Sequence, residues 1–595
     1  MNEAGEPRIA VDTVAVEIVK GALRSAQLEM ETLLARTAMS PFIREKKDFF
    51  CALFDERARL VVGTAIPLFG DVVAPILEHY PAVSMQPGDL YWYNDCYASK
   101  GAVSHSPDQV FVAPVFAEGK LSGFAQSWAH FNDIGGLRPG SLSPDATDIF
   151  QEGVIIPPVR LARAGEMNQE ALRIFTRNSR FPAMVTGDIR AAVAAVRLGE
   201  RRLLELLQRF GRATVHTCFE AAMAETRAVV EAKLGAIFRD GTYRFTERLD
   251  RDGHGNGPFA LRMTLQAERG RLDLDTSDSD DQAPGPINLM MSPDVPRMAL
   301  GIYALSEERS ALLNQGALAA IDRVTTRPGS ILEPRFPAPL GQRGITLVRV
   351  MTGCMGLVNV ATEGKGVAAH NVYVIYYLRG RVRENETFLL TDGIAVGYGA
   401  RPFADGIDAV YLIANENYPA EFLDLSYPVR LLRYGINEDS GGPGRWRGGS
   451  GVVREIEVLA EEAMLSIRID SVDNPPWGVA GGQSGRGGRC VVNPGRADER
   501  ELPPLSDGTV LRRGDVLRIE TGGGGGHGHP FDREAERVLA DVRGGFVSRE
   551  SARRDYGVVV TADGGKIDQA ETARLRRERY PTKLFHRRTY RDALE

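Results

Sequence analysis

Cysteine is scarce in this chain and badly placed for cross-linking. Cys51, Cys96, Cys218, Cys354 and Cys490 are the only five in 595 residues, and no two form Cys-x-x-Cys. That spacing excludes a disulfide framework, a zinc ribbon and a thioredoxin-type pair, so reduced thiols in a cytoplasmic protein are expected. No window approaches 18 uncharged apolar residues, and no basic segment followed by an apolar run stands at the amino terminus. Neither a membrane span nor secretion is expected. A strong net charge is also missing. At −6 the chain has no long-range attraction for nucleic acid or for an anionic membrane surface.

Several catalytic signatures are absent too. There is no Gly-x-Ser-x-Gly for a serine nucleophile and no Gly-x-x-x-x-Gly-Lys-[Ser/Thr] for a phosphate loop. The run Gly522 to Gly526 lacks the lysine and hydroxyl such a loop uses, and reads as a backbone turn or as close packing against another chain. His527 and His529 behind it make a weaker second candidate for metal. The chain shows no ATP site of its own. No fixed-period repeat is present either.

What is present is an ordinary globular composition, 43% hydrophobic and 25% charged, in a chain too long for one core. The expected fold class is α+β, multidomain, with mixed or antiparallel sheets, flanking helices and a glycine-rich, β-dominated carboxy-terminal part. Divisions are expected at 1–240 (a metal-binding α+β domain), 241–440 (a mixed α/β middle) and 441–595 (a glycine-rich β domain with a helical tail).

Three- and four-residue apolar spacing predicts a helix over 12–37, capped by Asp12 or Thr13. Short apolar runs predict strands at Cys51–Phe54, Leu60–Val62, Leu90–Tyr93, Val110–Val115 and Gly123–Trp128. Helices are expected at Ile189–Phe210, about Thr214–Phe238 and 297–314. Further strands are expected at Thr242–Leu249, Phe259–Ala267 and Arg271–Thr276, the last two joined by a turn at Glu268-Arg269-Gly270. Val452–Val458 and Met464–Ile469 are expected to form a hairpin. The charged tail from Lys566 reads as a helical, solvated or interface-covering element.

The residues that carry chemistry gather between Asp48 and Asp133. His105 and Asp108 stand three apart around Pro107, and His130 and Asp48 would reach them from other strands. Two imidazoles and two carboxylates suit a hard-to-borderline divalent ion. The same residues fit a loop histidine beside a turn carboxylate equally well, and spacing alone does not separate the two.

A wider set of segments supplies the rest. They include Leu34 to Ser40, Ile43 to Phe49, Asn94-Asp95, Ser104 to Asp108, Ala129-His130 with Asp133 to Gly136, Pro139 to Ser141, and Ile149 to Gly153. Gly285 to Asn288, Gly399 to Pro402, Asp439 to Arg445, Arg447 to Gly449, Pro476 to Gly478 and Tyr556 to Val559 continue the pattern. In these segments the chain resembles, nearly end to end, the hydantoinase B family. That family is also seen as the carboxy-terminal half of 5-oxoprolinase, and it includes subunits of acetone carboxylase, acetophenone carboxylase and caprolactamase.

The resemblance implies His105, Asp108 and His130 as metal ligands with Asp48 a fourth, and zinc, manganese or iron as the metal. It implies a hetero-oligomer with a hydantoinase A-like, ATP-binding partner subunit that phosphorylates a small-molecule substrate. The expected activity is then a metal-dependent hydrolase for a cyclic amide, with Asp133 or Glu45 orienting a ligand or shuttling a proton. A ketone carboxylase subunit and a non-catalytic scaffold subunit stand as alternatives.

The chain also departs from the family pattern. Cys96 stands where relatives carry proline, and Ala98 to Val103 is a longer approach containing Lys100. Phe131 replaces a second histidine, and Val410 to Asn415 replaces a histidine-rich stretch. These positions are expected to affect substrate choice.

Overall fold

The computed structural model describes residues 13–64, 70–308, 312–383, 386–412 and 415–587. Asp12, one of the two expected caps, and residues 309–311, 413 and 414 lie outside them.

The helix Thr13–Thr37 turns Val19, Leu23, Met30 and Leu34 inward, as its spacing predicts. Each such side chain contributes roughly 1.5–3 kcal/mol on burial. The helix packs on Pro182–Phe210, which in turn lies across a seven-stranded antiparallel sheet. The sheet order is Leu60–Gly63, Phe49–Phe54, Lys120–His130, Asp108–Ala117, Leu90–Tyr93, Val159–Arg163 and Glu166–Met167. All five strands expected in this part of the chain are present, the longest extended by several residues.

A second sheet orders Arg323–Thr325, Arg271–Asp275, Phe259–Glu268 and Gly241–Leu249, with only the first pair parallel. The expected turn at its centre holds Arg269 and Gly270 at positive φ, 51° and 79°, as a tight hairpin requires. A third sheet orders Glu386–Ile394, Val374–Arg383, Glu462–Arg468 and Leu505–Arg512. A fourth orders Val429–Ile436, Val452–Val458, Val516–Glu520, Arg489–Val492 and Arg500–Leu502. One apolar core runs from Val16 to Val358 and beyond, and a second fills the space between the third and fourth sheets. The α+β class stands.

Four local expectations need correction. Val452–Val458 and Glu462–Arg468 do not pair, because the chain changes sheets between them. Val458 and Leu459 still donate to Asp515 and Pro428 around the fourth sheet, whereas the next strand joins Val374–Arg383. The helix expected at 297–314 spans Asp294–Leu305, since Ser306, Glu307 and Glu308 are exposed and offer no apolar face. The Ile189–Phe210 helix begins earlier, at Pro182, where proline's fixed φ suits the first turn. The charged tail is helical at Gln569–Arg577, but residues 585–587 beyond it are not solvated: Phe585–His586 pairs with Gly478–Val479, and Arg587 is fully buried.

The helix Gly344–Ala361 goes beyond the sequence-based expectations. It is apolar on every side, so it shows no amphipathic period. Its length and hydropathy would suit a membrane span, yet 83% of it is buried within the protein. At its centre Arg349 pairs with Asp470 at 2.8 Å.

The glycine run Gly522 to Gly526 packs within the chain. Its amides and carbonyls bond Gly397, Ala400, Gly442, Gly449, Ala369 and Gln483 on several sides at 2.8–3.0 Å. A Cβ at Gly523 or Gly525 would overlap the Ser440 or Trp477 backbone. Extended glycine segments here stack in three dimensions, which side chains would prevent.

Candidate metal centre

Strand register builds the centre of the site. Asp108, first in its strand, lies opposite His130, last in the neighbouring one. On the other side of that central strand Phe49 pairs with Ala129, and the His130 amide donates to the Asp48 carbonyl at 3.1 Å. Three adjacent strand ends therefore deliver Asp48, His130 and Asp108 to one end of the sheet. His105 arrives from the tight turn before Asp108, closed by the Asp108 amide on the His105 carbonyl at 3.2 Å.

The side chains converge. His105 Nε2 lies 2.6 Å from Asp108 Oδ1, and His130 Nδ1 lies 3.1 Å from both of those atoms. All three residues are buried, and their donor atoms fall within 4.8 Å of one another. Two imidazoles and a carboxylate at such separations match adjacent ligands of one ion held at about 2.1 Å. No other group of three such donors occurs among the described residues.

The electrostatics favour the ligating forms. Burial, reinforced by the Arg343 charge, pushes His105 down to about 3 and keeps it neutral, as a ligand must be. Burial works to raise Asp108. The hydrogen bonds from His105 and His130 and the Arg343 guanidinium outweigh it and hold the carboxyl below the usual range. Asp48 is pushed up to about 6 by burial and the Asp108 charge, against the pull of His130, Arg343 and the Asn415 amide. That coupling places Asp48 beside the three convergent donors without making it one of them.

Arg343 is the residue that sequence reasoning missed. Its Nε donates to Ser104 Oγ at 2.7 Å and its Nη2 lies 3.5 Å from Asp108 Oδ2. It enters from a segment more than 200 positions away, and Gly341-Gln342-Arg343 carries no recognisable spacing. The Asn94-Asp95 pair proves to be a clamp. Asn94 Nδ2 donates to the Ser106 and Val154 carbonyls at 2.7 and 2.8 Å, and Asp95 receives the Tyr97 and Ala98 amides. Lys46 ties the segment before Asp48 to the third sheet, its Nζ 2.7 Å from Asp392 and 4.1 Å from the Tyr418 ring centre.

The two residues expected to move protons are placed elsewhere. Asp133 is buried and spends its oxygens on the Gly135, Gly140 and Arg180 amides, Ser179 Oγ and the Arg180 guanidinium. It fixes the loop after His130. Glu45 is partly exposed and pairs with its neighbour Arg44 at 3.1 Å. His527 donates to the Gly364 carbonyl and His529 to that of Tyr580, so the two do not converge on a common point. Of the departures, Phe131 is core beside Phe111, and Lys100 pairs with Glu78 on the surface.

Comparison with known proteins agrees with this architecture. The sequence model of the hydantoinase B/oxoprolinase family matches residues 12–530. The chain is 31% identical to the B component of the putative D-/L-hydantoinase of Pseudomonas sp. (strain NS671), covering 95% of this chain and 98% of that one. It is 31% identical to the beta subunit of caprolactamase from Pseudomonas jessenii, over 94% and 98%. The solved structure of the ATP-dependent caprolactamase from Pseudomonas jessenii superposes with a TM-score of 0.84 at 27% identity, covering 96% of this chain and 100% of that one. An acetone carboxylase structure shares the fold, with the same TM-score at 21% identity, over 96% and 84%. This chain belongs to the hydantoinase B/oxoprolinase family.

Proposed function

We propose that this chain is the metal-binding subunit of an ATP-dependent cyclic-amide hydrolase, working on substrate activated by an ATP-binding partner subunit. The observation that carries the reading is the convergence of His105, Asp108 and His130 in a buried cluster, with Asp48 beside them. Support for the partner comes from relatives whose names mark each as one subunit of an assembly, and for ATP from the caprolactamase described as ATP-dependent.

His105, Asp108 and His130 would hold the ion, with Asp48 as fourth ligand or as acceptor from a bound water. A divalent ion there supplies Lewis acidity toward an amide carbonyl and lowers the pKa of bound water from about 15.7 toward 7. The protein's own contribution is orientation. Arg343 and Ser104 fix the second oxygen of Asp108, and Asn94 fixes the turn that carries His105. Asp48, raised to about 6 by burial and so mostly ionised at neutral pH, would be suited to accept a proton from water and return it to the leaving nitrogen.

The experiment is co-expression with an ATP-binding partner subunit from the same organism, followed by turnover assays with lactams and hydantoins. Ring opening that needs ATP, the partner and a divalent metal is expected. Turnover that consumes bicarbonate and a ketone instead would overturn the hydrolase reading in favour of carboxylation.

A further inference from the structure

Close to the donor cluster, helices Asp294–Leu305 and Gly344–Ala361 and the segment from Val367 to Tyr373 enclose a cavity of about 420 Å³. Small-molecule sites occupy roughly 300–1,000 Å³. The wall is mostly apolar, formed by Ile302, Met351, Met355 and the rings of Tyr373 and Tyr411. The two tyrosines link it to the segments that carry Arg343 and Asp48. The Tyr373 hydroxyl rests against Gly344, the residue after Arg343, and its ring meets Tyr411 edge-on at 5.4 Å. The Tyr411 ring centre lies 4.8 Å from Nζ of Lys46, two residues before Asp48.

One polar side chain is oriented for a ligand. The Gly399 amide donates to His370 Nδ1 at 2.9 Å, and the imidazole stacks on Tyr398 with ring centres 4.4 Å apart. A neutral imidazole that accepts at Nδ1 carries its proton on Nε2. Burial keeps this ring neutral, pushing it down to about 4. His370 thus lines the cavity as a fixed N–H donor. Arg401, also in the lining, donates from Nη2 to the Asp405 carbonyl at 2.8 Å, while its Nε is buried without a hydrogen-bond partner among the described residues.

We infer that this cavity selects the substrate: it takes an apolar aryl or alkyl portion of the molecule, with one acceptor atom held by His370 Nε2–H, in preference to ring compounds that lack such a portion. Its place in turnover rests on the metal-centre reading, whereas binding to it does not. A cyclic amide carrying a hydrophobic substituent would fit, with the reacting amide toward the tyrosines and the substituent between the two helices.

The test is calorimetric titration of the full chain with 5-phenylhydantoin and, separately, 5-oxoproline, with metal content measured on every sample. Wild type is expected to bind 5-phenylhydantoin at least tenfold more tightly than 5-oxoproline. Met351→Trp, which fills the cavity, should weaken 5-phenylhydantoin binding tenfold or more, and His370→Ala threefold or more, with metal content unchanged in both. If Met351→Trp fails to fold, Ile302→Trp fills the space from the opposite wall. Undiminished binding in a folded cavity-filled variant, no binding to wild type, or equal affinity for 5-oxoproline would overturn the assignment. If His105→Ala keeps its metal while 5-phenylhydantoin binding still follows Met351, the metal-centre reading fails and the cavity stands.

Discussion

His105 Nε2 and His130 Nδ1 face each other across 3.1 Å, and both point at the same oxygen of Asp108. Such convergence is costly unless something is shared at its centre, and a divalent ion satisfies all three atoms at once. His105→Ala and His130→Ala are each expected to lose the metal while keeping the wild-type circular dichroism spectrum. Elemental analysis of the purified proteins decides it, and unchanged metal in both variants refutes the centre. The affinity should also depend on pH. In the proposed role of fourth ligand, Asp48 is raised to about 6, so protons compete with metal for it as the pH falls through 6. Wild-type affinity should drop across that interval, and Asp48→Asn should flatten the profile at a lower affinity.

Glu152 offers a second pH-dependent reading, this time of stability. Its Oε1 accepts the Leu340 and Gly341 amides at 2.8 and 2.6 Å, while Oε2 is buried without a partner among the described residues. Burial raises it to about 8, above the amides' downward pull. The native state therefore holds a proton that the unfolded chain releases near 4.5. The stabilisation is complete below that value and is lost as pH rises through 8. Glu152→Gln keeps the acceptor and removes the titration. Urea unfolding at pH 5, 7 and 9 should show wild type losing on the order of a few kcal/mol relative to Glu152→Gln by pH 9. Parallel profiles would sink the idea.

The glycine stack makes a contrast between two alanine substitutions. At Gly525 a Cβ would meet the Trp477 backbone, which has no side-chain freedom with which to give way. At Gly435, on the strand Val429–Ile436, nothing lies within 4 Å and the φ is ordinary. Gly525→Ala should destabilise by about 3 kcal/mol or more, toward the upper end of overpacking, and Gly435→Ala by less than about 0.5 kcal/mol. Thermal melts of the two proteins measure the difference.

What is legible in the sequence follows from where each signal is local. His105 and Asp108 share one turn, and His130 ends a strand whose apolar run is plain, so their candidacy is visible. Their convergence depends on register between strands, which spacing does not encode. Arg343 stays hidden because its contact with Asp108 spans 235 positions. Helix Gly344–Ala361 escapes notice because burial on all sides erases the period that marks a surface helix. Met464 to Ile469 is recognisable as a strand, but alternation does not name the neighbour it pairs with. Asp133 resembles a catalytic group because a carboxylate near a histidine carries no sign of the five donors that fold around it.

The buried tail gives the last test. Arg587 Nη1 donates to Glu247 Oε1 at 2.8 Å, and both side chains are fully enclosed. Trp477 and Thr352 donate to the other Glu247 oxygen at 2.7 and 3.2 Å, and Arg349 stands 3.8 Å away. Removing one member of a buried pair leaves the other charge partly uncompensated, at a cost of about 3–5 kcal/mol. Arg587→Met should cost that much, and Glu247→Gln a comparable amount. The double variant should cost clearly less than the two combined, because it no longer buries a charge without its partner. Denaturant unfolding of the four proteins measures the coupling. Additive effects would mean that residues 585–587 are held by Phe585 and its strand pairing, and not by the ion pair.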